Sequence, residues 1–391
     1  MNIITDNKSL ARFCKSLRKQ KFVTVDTEFI RERTFYPQLC LIQIAVARRA
    51  AVIDIMSDIT DYSPLKDIFT DSEIIKVFHS ARQDLEAIFY FLKVIPFPVF
   101  DTQIGAMALG FGDSVSYQSL VHHFCKVNLD KGQRLTDWSK RPLSEAQLAY
   151  ALGDVSYLVK VYRRINEKIV SLGRGEWIKE EENDLLNKEN YVINPERAWK
   201  RLKLRSSDIG YIARLKQIAA LRETIAVNTN RPRRFVMSDD VVEEIALLGP
   251  KTAADLASVR GIVKHPDGAV RYEKEILEAV AFADVSNADL LSVPIKKMSK
   301  KLLRLRPLTE MLKLLLNIRC LENNVSARLV ASHDDIDDIV LNGEKGKNKT
   351  MRGWRYSFFG KDALALCDGS LRLYYDRSKN RIVSILASNS V

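Results

Sequence analysis

In the first half of the chain, short β-branched and apolar runs alternate with segments whose apolar residues recur at helical spacing. Phe22–Asp26, Leu39–Val46, Ala51–Ile55 and Ile74–Phe78 have the length and composition of buried strands. Ser9–Lys19, Pro64–Thr70, Arg82–Leu92 and Thr102–Leu109 read as helices between and after them. This alternation predicts an α/β layer around a mostly buried sheet. Ser144-Glu145-Ala146-Gln147 is a capping-box pattern, and it predicts a longer helix running to about Val170, with Gly173 and Gly175 closing it. Beyond Asn194-Pro195 the strand pattern fades. Arg214–Val227, Ser238–Leu248 and Lys251–Val259 read as helices, with a loop at 230–234 and a break at Gly249-Pro250. Pro294–Pro307 reads as a basic linker. The remainder reads as a further helical set with a Gly/Lys-rich loop at 342–349 and a terminal strand pair.

A length of 391 residues suits two to three domains, and 46% hydrophobic residues support a packed core and exclude wholesale disorder. The longest apolar runs are broken by proline and are far too short to span a bilayer, so no membrane association is expected. The first twenty residues carry no apolar stretch of the secretory type. Five scattered cysteines without a CxxC pair indicate neither a disulfide framework nor structural zinc. A reducing cytoplasm is the expected setting. The net charge is +12, of which residues 1–200 carry +2 and residues 201–391 carry +10. Such an excess points to a polyanionic partner and places its grip in the second half.

Three separated segments concentrate acidic residues. Asp26 and Glu28 end the strand beginning at Phe22, and residues two apart on a strand share a face. Asp84 opens the helix that follows the strand Ile74–Phe78, at the carboxyl edge where α/β sheets collect ligand sites. Tyr150 and Asp154 are four apart on the long helix and share a face one turn apart. Asp154 is flanked by Leu152 and Val155, so an unpaired carboxylate there is costly, and a cation would remove that cost. Each segment alone also fits a plain surface or helix-end role. Together, four carboxylates can hold two divalent cations about 3.5–4 Å apart, an arrangement that clamps both oxygens of a phosphoryl displacement. Hard oxygen ligands suit Mg²⁺ or Mn²⁺, and no organic cofactor is called for.

VDTEF (25–29), HSARQDL (79–85) and TDWSKRPLSEAQLAYALGDVSYL (136–158) resemble the three exonuclease motifs of the DEDD superfamily. The YxxxD spacing of the third marks the Tyr subclass, and the DWSKRPLSEAQLxYA block looks like the ribonuclease D family. LRETIAVNTNRPRRFVMSDDVVEEIA (221–246) resembles the nucleic-acid-binding HRDC domain shared by RecQ-type helicases and that family. The resemblance implies an α/β exonuclease domain of ribonuclease H-like type over 1–174, a mixed sheet flanked by helices. A helical connector (175–207) and two small all-α domains follow, an HRDC domain at 208–290 and a divergent second copy at 305–385.

The activity implied is metal-dependent 3′→5′ hydrolysis of RNA to 5′-mononucleotides, with tRNA precursors or other structured RNAs bearing single-stranded 3′ ends as substrates of a monomeric enzyme. Asp26 would bridge both cations, Glu28 and Asp154 would complete the site beside the nucleophile, and Asp84 would hold the second cation. Tyr150 would orient the attacking water, since a phenol with a pKa near 10 is a poor base. Around this core, Phe29, His79 and Gln83 are candidates for the terminal nucleotide. Lys131, Arg134, Lys140 and Arg141 are candidates for the adjacent phosphates. Arg231, Arg233 and Arg234 are candidates for the RNA body. A DNA exonuclease and a non-catalytic nucleic-acid adaptor are the competing readings of the same pattern.

Overall fold

Leu39–Ala45 is buried on both faces, as the interior strand of a covered sheet must be, and it lies within β3 (Gln38–Val46) of the computed structural model. The structure describes residues 3–130, 132–283 and 300–386. The other strands of this sheet are β1 (Ile3–Ile4), β2 (Phe22–Ile30), β4 (Arg49–Asp54), β5 (Ile75–Phe78) and β6 (Val99–Asp101). They lie in the order β1-β4-β3-β2-β5-β6. β3 is antiparallel to β4, whereas β1–β4, β2–β5 and β5–β6 are parallel. The mixed sheet with flanking helices is the ribonuclease H-like layer expected.

The helices at Asn7–Leu17, Ser63–Thr70 and Arg82–Leu92 match the sequence expectation closely. The predicted helix from Ser144 divides into Glu145–Ser156 and Leu158–Ser171. Its capping box forms as expected, with Ser144 accepting from the backbone of Gln147 and the Gln147 side chain accepting in return. Near the division two helix carbonyls bind side chains: Tyr117 Oη donates to Gly153 O (2.9 Å) and Thr24 Oγ1 to Val155 O (2.8 Å). The second of these bonds seats the helix carrying Tyr150 and Asp154 against β2.

Two compact units emerge. One contains the described residues up to Glu28, Cys40–Asn187 and those from Lys300 onward. The other contains Phe29–Leu39 and the described residues from Lys188 to Ala283. In the first unit, Leu312, Leu315, Leu329 and Phe359 share one apolar core with Ala106, Tyr162 and Ile165. The segment 305–385 therefore packs as part of the unit that holds the sheet. Arg355 fastens it from within, donating to Leu329 O (3.0 Å), Glu180 (2.6 Å) and Glu181, while Trp354 stacks on Trp177 at 4.1 Å. The expected linker 294–307 lies outside the described residues up to 299, and its last part belongs to the helix Lys300–Asn323, which carries Pro307 inside it. The loop at 342–349 is bracketed by two short 3₁₀ turns, Gly343–Lys345 and Lys349–Met351. The terminal strand pair forms as β7 (Leu371–Asp376) and β8 (Arg381–Leu386), antiparallel.

In the second unit, Ile209–Asn228 is the central helix, with Asp239–Leu248 and Glu273–Ala281 packed on it. Three charged side chains are buried here and paired: Glu223 with Arg233 (2.5 Å), Arg222 with Asp239 (2.6 Å), and Glu243 with Arg205.

Candidate active site

The carboxyl end of β2 brings Asp26 and Glu28 to the helix Glu145–Ser156. There, carboxylate oxygens of Asp26, Glu28 and Asp154 all lie within 4.8 Å of one another. Val23 and Val25 fill the core on the opposite face of the strand. Asp84 stands at the start of the helix after β5, buried, with its Oδ1 accepting from Thr27 Oγ1 (2.6 Å) and Thr27 N (3.1 Å). Thr27, between the two acids of β2, thus ties the fourth carboxylate to the same strand. Asp101 supports the turn leading to Asp84: its carboxylate accepts from Ser80 N (2.9 Å), Ala81 N (2.8 Å) and Gln103 N (2.8 Å). Ser80 is held at φ +65°, a conformation that L-residues adopt only when the surroundings impose it.

The electrostatics of this cluster are unfavourable on their own. Burial, then the charge of Asp154, holds Asp26 well above the carboxylate range. Glu28 is pushed up to about 10 by burial, then by Asp26, Asp154 and Asp84, with Arg134 pulling the other way. Burial, then Asp26, raises Asp84, with Thr27 opposing. Asp154 is pushed up to about 7, chiefly by burial, while a hydrogen bond from Tyr150 lowers it. Clustered carboxylates that cannot all ionise without a counter-charge, presented as oxygen donors alone, fit hard divalent cations. Tyr150 packs beside Trp138, with ring centroids 6.1 Å apart. Its phenol is raised well above its ordinary value by burial and the surrounding carboxylates, so it remains a proton donor.

The outer candidates divide. Arg134 is exposed, and its charge reaches both Glu28 and Tyr150. Arg141, expected at a phosphate, spends all five N–H groups internally. It donates to Asp54 (2.7 and 2.6 Å) and to the carbonyls of Trp138, Lys140 and Cys40. It fixes the loop before the helix Glu145–Ser156 and has no donor left for RNA. His79 is engaged by Thr102 Oγ1 (3.0 Å) and the Val115 carbonyl, 5.7 Å from the Tyr117 ring. Gln83 is exposed beside Asp84, Phe29 follows Glu28 partly buried, and Lys140 is exposed. Lys131 lies outside the described residues. In the helical unit Arg231 and Arg234 are exposed, whereas Arg233 is bound bidentately to Glu223 and stacks on Phe35 at 4.6 Å. The supporting residues Thr27, Asp54, Asp101 and Tyr117 were not singled out in the sequence. Only Asp101 carries a signal there, an Asp immediately before a helix start.

A family model described as 3′-5′ exonuclease matches residues 1–170, and an HRDC domain model matches 212–280. Curated relatives named ribonuclease D include one from Jannaschia sp., 40% identical over 98% of this chain and 99% of its own. Another, from Zymomonas mobilis, is 39% identical over 96% of each. The crystal structure of Escherichia coli RNase D, described as an exoribonuclease involved in structured RNA processing, superposes with a TM-score of 0.78. It is 28% identical, covering 94% of this chain and 99% of that one. Fold and site together define a DEDD-type 3′→5′ exonuclease with an appended HRDC domain. The chain belongs to the ribonuclease D family. It is a 3′→5′ exoribonuclease that binds RNA and works with divalent metal.

Proposed function

We propose that this enzyme trims the single-stranded 3′ ends of structured RNAs, tRNA precursors foremost, as a monomer using two Mg²⁺ or Mn²⁺ ions. The observation carrying the chemistry is the trio Asp26, Glu28 and Asp154, whose carboxylate oxygens lie within 4.8 Å of one another, with Asp84 tied to the same strand through Thr27. Asp26, Glu28, Asp84 and Asp154 would hold the ions, which when bound supply charge neutralisation at the scissile phosphate and a water more acidic than bulk.

Tyr150 holds Asp154 by donating its hydroxyl proton. Its phenol oxygen then remains able to accept from the attacking water, so its role is to orient rather than to remove a proton. Among the described residues, Arg134 is the cation best placed to meet a phosphate beside Glu28. Phe29 and Gln83 are retained as contacts to the terminal nucleotide, and Arg231 and Arg234 as contacts to the RNA body.

Nucleotide release from matched RNA and DNA oligomers, with and without chelator, tests the reading. The expected result is Mg²⁺- or Mn²⁺-dependent 5′-monophosphate release from RNA, abolished by Asp26→Asn. Release that persists in chelator or in that variant overturns it.

A further inference from the structure

The Phe29–Leu39 segment begins in the last two residues of the strand that carries Asp26 and Glu28, and it folds with the helical unit. Asn230 is the latch: its Oδ1 accepts from Phe35 N (3.1 Å) and Tyr36 N (3.2 Å), and its carbonyl also accepts from Phe35 N (3.2 Å). Asn230 takes φ +47°, which turns the chain there, and the Phe35 ring is buried beneath the Arg233 guanidinium. Segments almost two hundred residues apart are thereby bound together.

The consequence is a shared basic surface. Arg33 lies two residues before Phe35, and Arg231 lies one residue after Asn230, so chain reach alone places them near each other. Both are exposed, as is Arg234. Among the described residues none of these three forms an ion pair. The acids nearby are already neutralised: Glu223 by Arg233 and Arg201, Asp239 by Arg222, and Asp240 and Glu243 by Arg205. Phe235, 47% exposed, lies beside the Arg234 guanidinium at 5.1 Å and offers a ring face to an unstacked base. The acidic Glu32 sits beside Arg33, so the gain in charge comes from arginine placement rather than from composition.

We propose that Arg33 joins Arg231, Arg234 and Phe235 in one binding surface for single-stranded RNA, built from the catalytic strand's own extension and the HRDC-type domain. Arg233 is the clamp beneath this surface rather than a contact on it. The proposal rests on the exoribonuclease reading for the identity of its ligand.

The test is equilibrium binding of a 5′-labelled, unstructured 16-nucleotide RNA to the full chain in the Asp26→Asn background, over a salt series. One phosphate contact on a single strand contributes about 0.7 to the slope of log affinity against log salt, which is about fivefold in affinity at 0.1 M. Arg33→Gln and Arg231→Gln should each lose about that slope and that affinity. Arg377→Gln, an exposed arginine of the other unit, should lose neither. Phe235→Ala should weaken binding with the slope unchanged. In an Asn230→Ala background the Arg33→Gln loss should shrink, because the latch is gone. An Arg33→Gln protein that binds like its parent, or an Arg377→Gln loss of the same size, overturns the proposal. Since binding is read without turnover, its failure is separate from any failure of wild-type nucleotide release.

Discussion

Replacing Asp154 by asparagine isolates the tension built into the acidic cluster. Asp154 moves from an ordinary 3.8 to about 7 in the folded protein, chiefly through burial. As pH rises through 4 the unfolded chain releases this proton while the folded chain keeps it until about pH 7. Stability therefore falls with rising pH across that window and is fully reduced above it. At 1.36 kcal/mol per pH unit the penalty is at most about 4 kcal/mol. The amide of the Asp154→Asn variant has no proton to lose, and its carbonyl oxygen can still accept from Tyr150. In chelator at pH 8 the Asp154→Asn protein should melt higher than the parent, by at most roughly 8–16 °C at about 2–4 °C per kcal/mol. At pH 4 the two should melt together. Saturating Mg²⁺ should reverse the order at pH 8, because only the parent gains full binding energy. The assay is a thermal melt at both pH values with and without metal, beside nucleotide release. A parent melting point that is flat between pH 4 and 8 in chelator would refute the electrostatic argument, and retained hydrolysis in the variant would refute the catalytic one.

Tyr150→Phe should lower kcat about 10- to 100-fold, below the roughly 10²–10⁴-fold of a group that itself transfers a proton, because the phenol only orients the water. It should leave the Mg²⁺ concentration for half-maximal activity within about threefold, as read by metal titration of initial rates. Arg141→Ala strands the buried Asp54 carboxylate, and a cost of about 3 kcal/mol is expected in chemical denaturation. The salt slope of RNA binding should not change in that variant, since Arg141 has no donor to spare. Arg355→Ala removes the buried cation that joins Leu329 to Glu180 and Glu181, and should cost about 2–3 kcal/mol by the same measurement.

The clustering of the candidate carboxylates was legible because each sits where local pattern already marks an element end: strand into turn, turn into helix, one helical turn from a tyrosine. The elements missed were those with too little pattern to read. β1 has only two residues, and β6 is three residues following Pro96 and Pro98, which punctuate like a turn. The role of Arg141 was not legible at all. An arginine that binds a phosphate and one that binds Asp54, 87 residues away, are identical in sequence, and only the fold decides between them. Arg233 posed the same problem: Arg231 and Arg234 beside it are exposed, while its own partners, Glu223 and Phe35, come from two other segments. The latch at Asn230 joins chain-distant backbone, which periodicity does not report.

The charge asymmetry along the chain invites a simple division, with chemistry in residues 1–200 and RNA binding in the rest, but the packing argues against cutting there. Leu312, Leu315, Leu316, Leu329 and Phe359 complete the core around Ala106, Tyr162 and Ile165. Arg174 donates to the carbonyls of Ala108 (2.6 Å), Asn323 (2.6 Å) and Asn324 (3.2 Å). A chain ending near residue 200 would expose this apolar face, and it would leave Arg174 without two of its three acceptors. Each fully buried leucine contributes about 1.5–3 kcal/mol of burial, so losing several is comparable with the roughly 5–15 kcal/mol that holds a typical domain together. The truncated protein is expected to aggregate or to lose its cooperative melt, whereas the full-length Asp26→Asn protein should keep one. A soluble truncation that melts cooperatively within a few degrees of the full chain would show that the sheet and its helices are self-sufficient, and would overturn the assignment of residues 300–386 to the catalytic core.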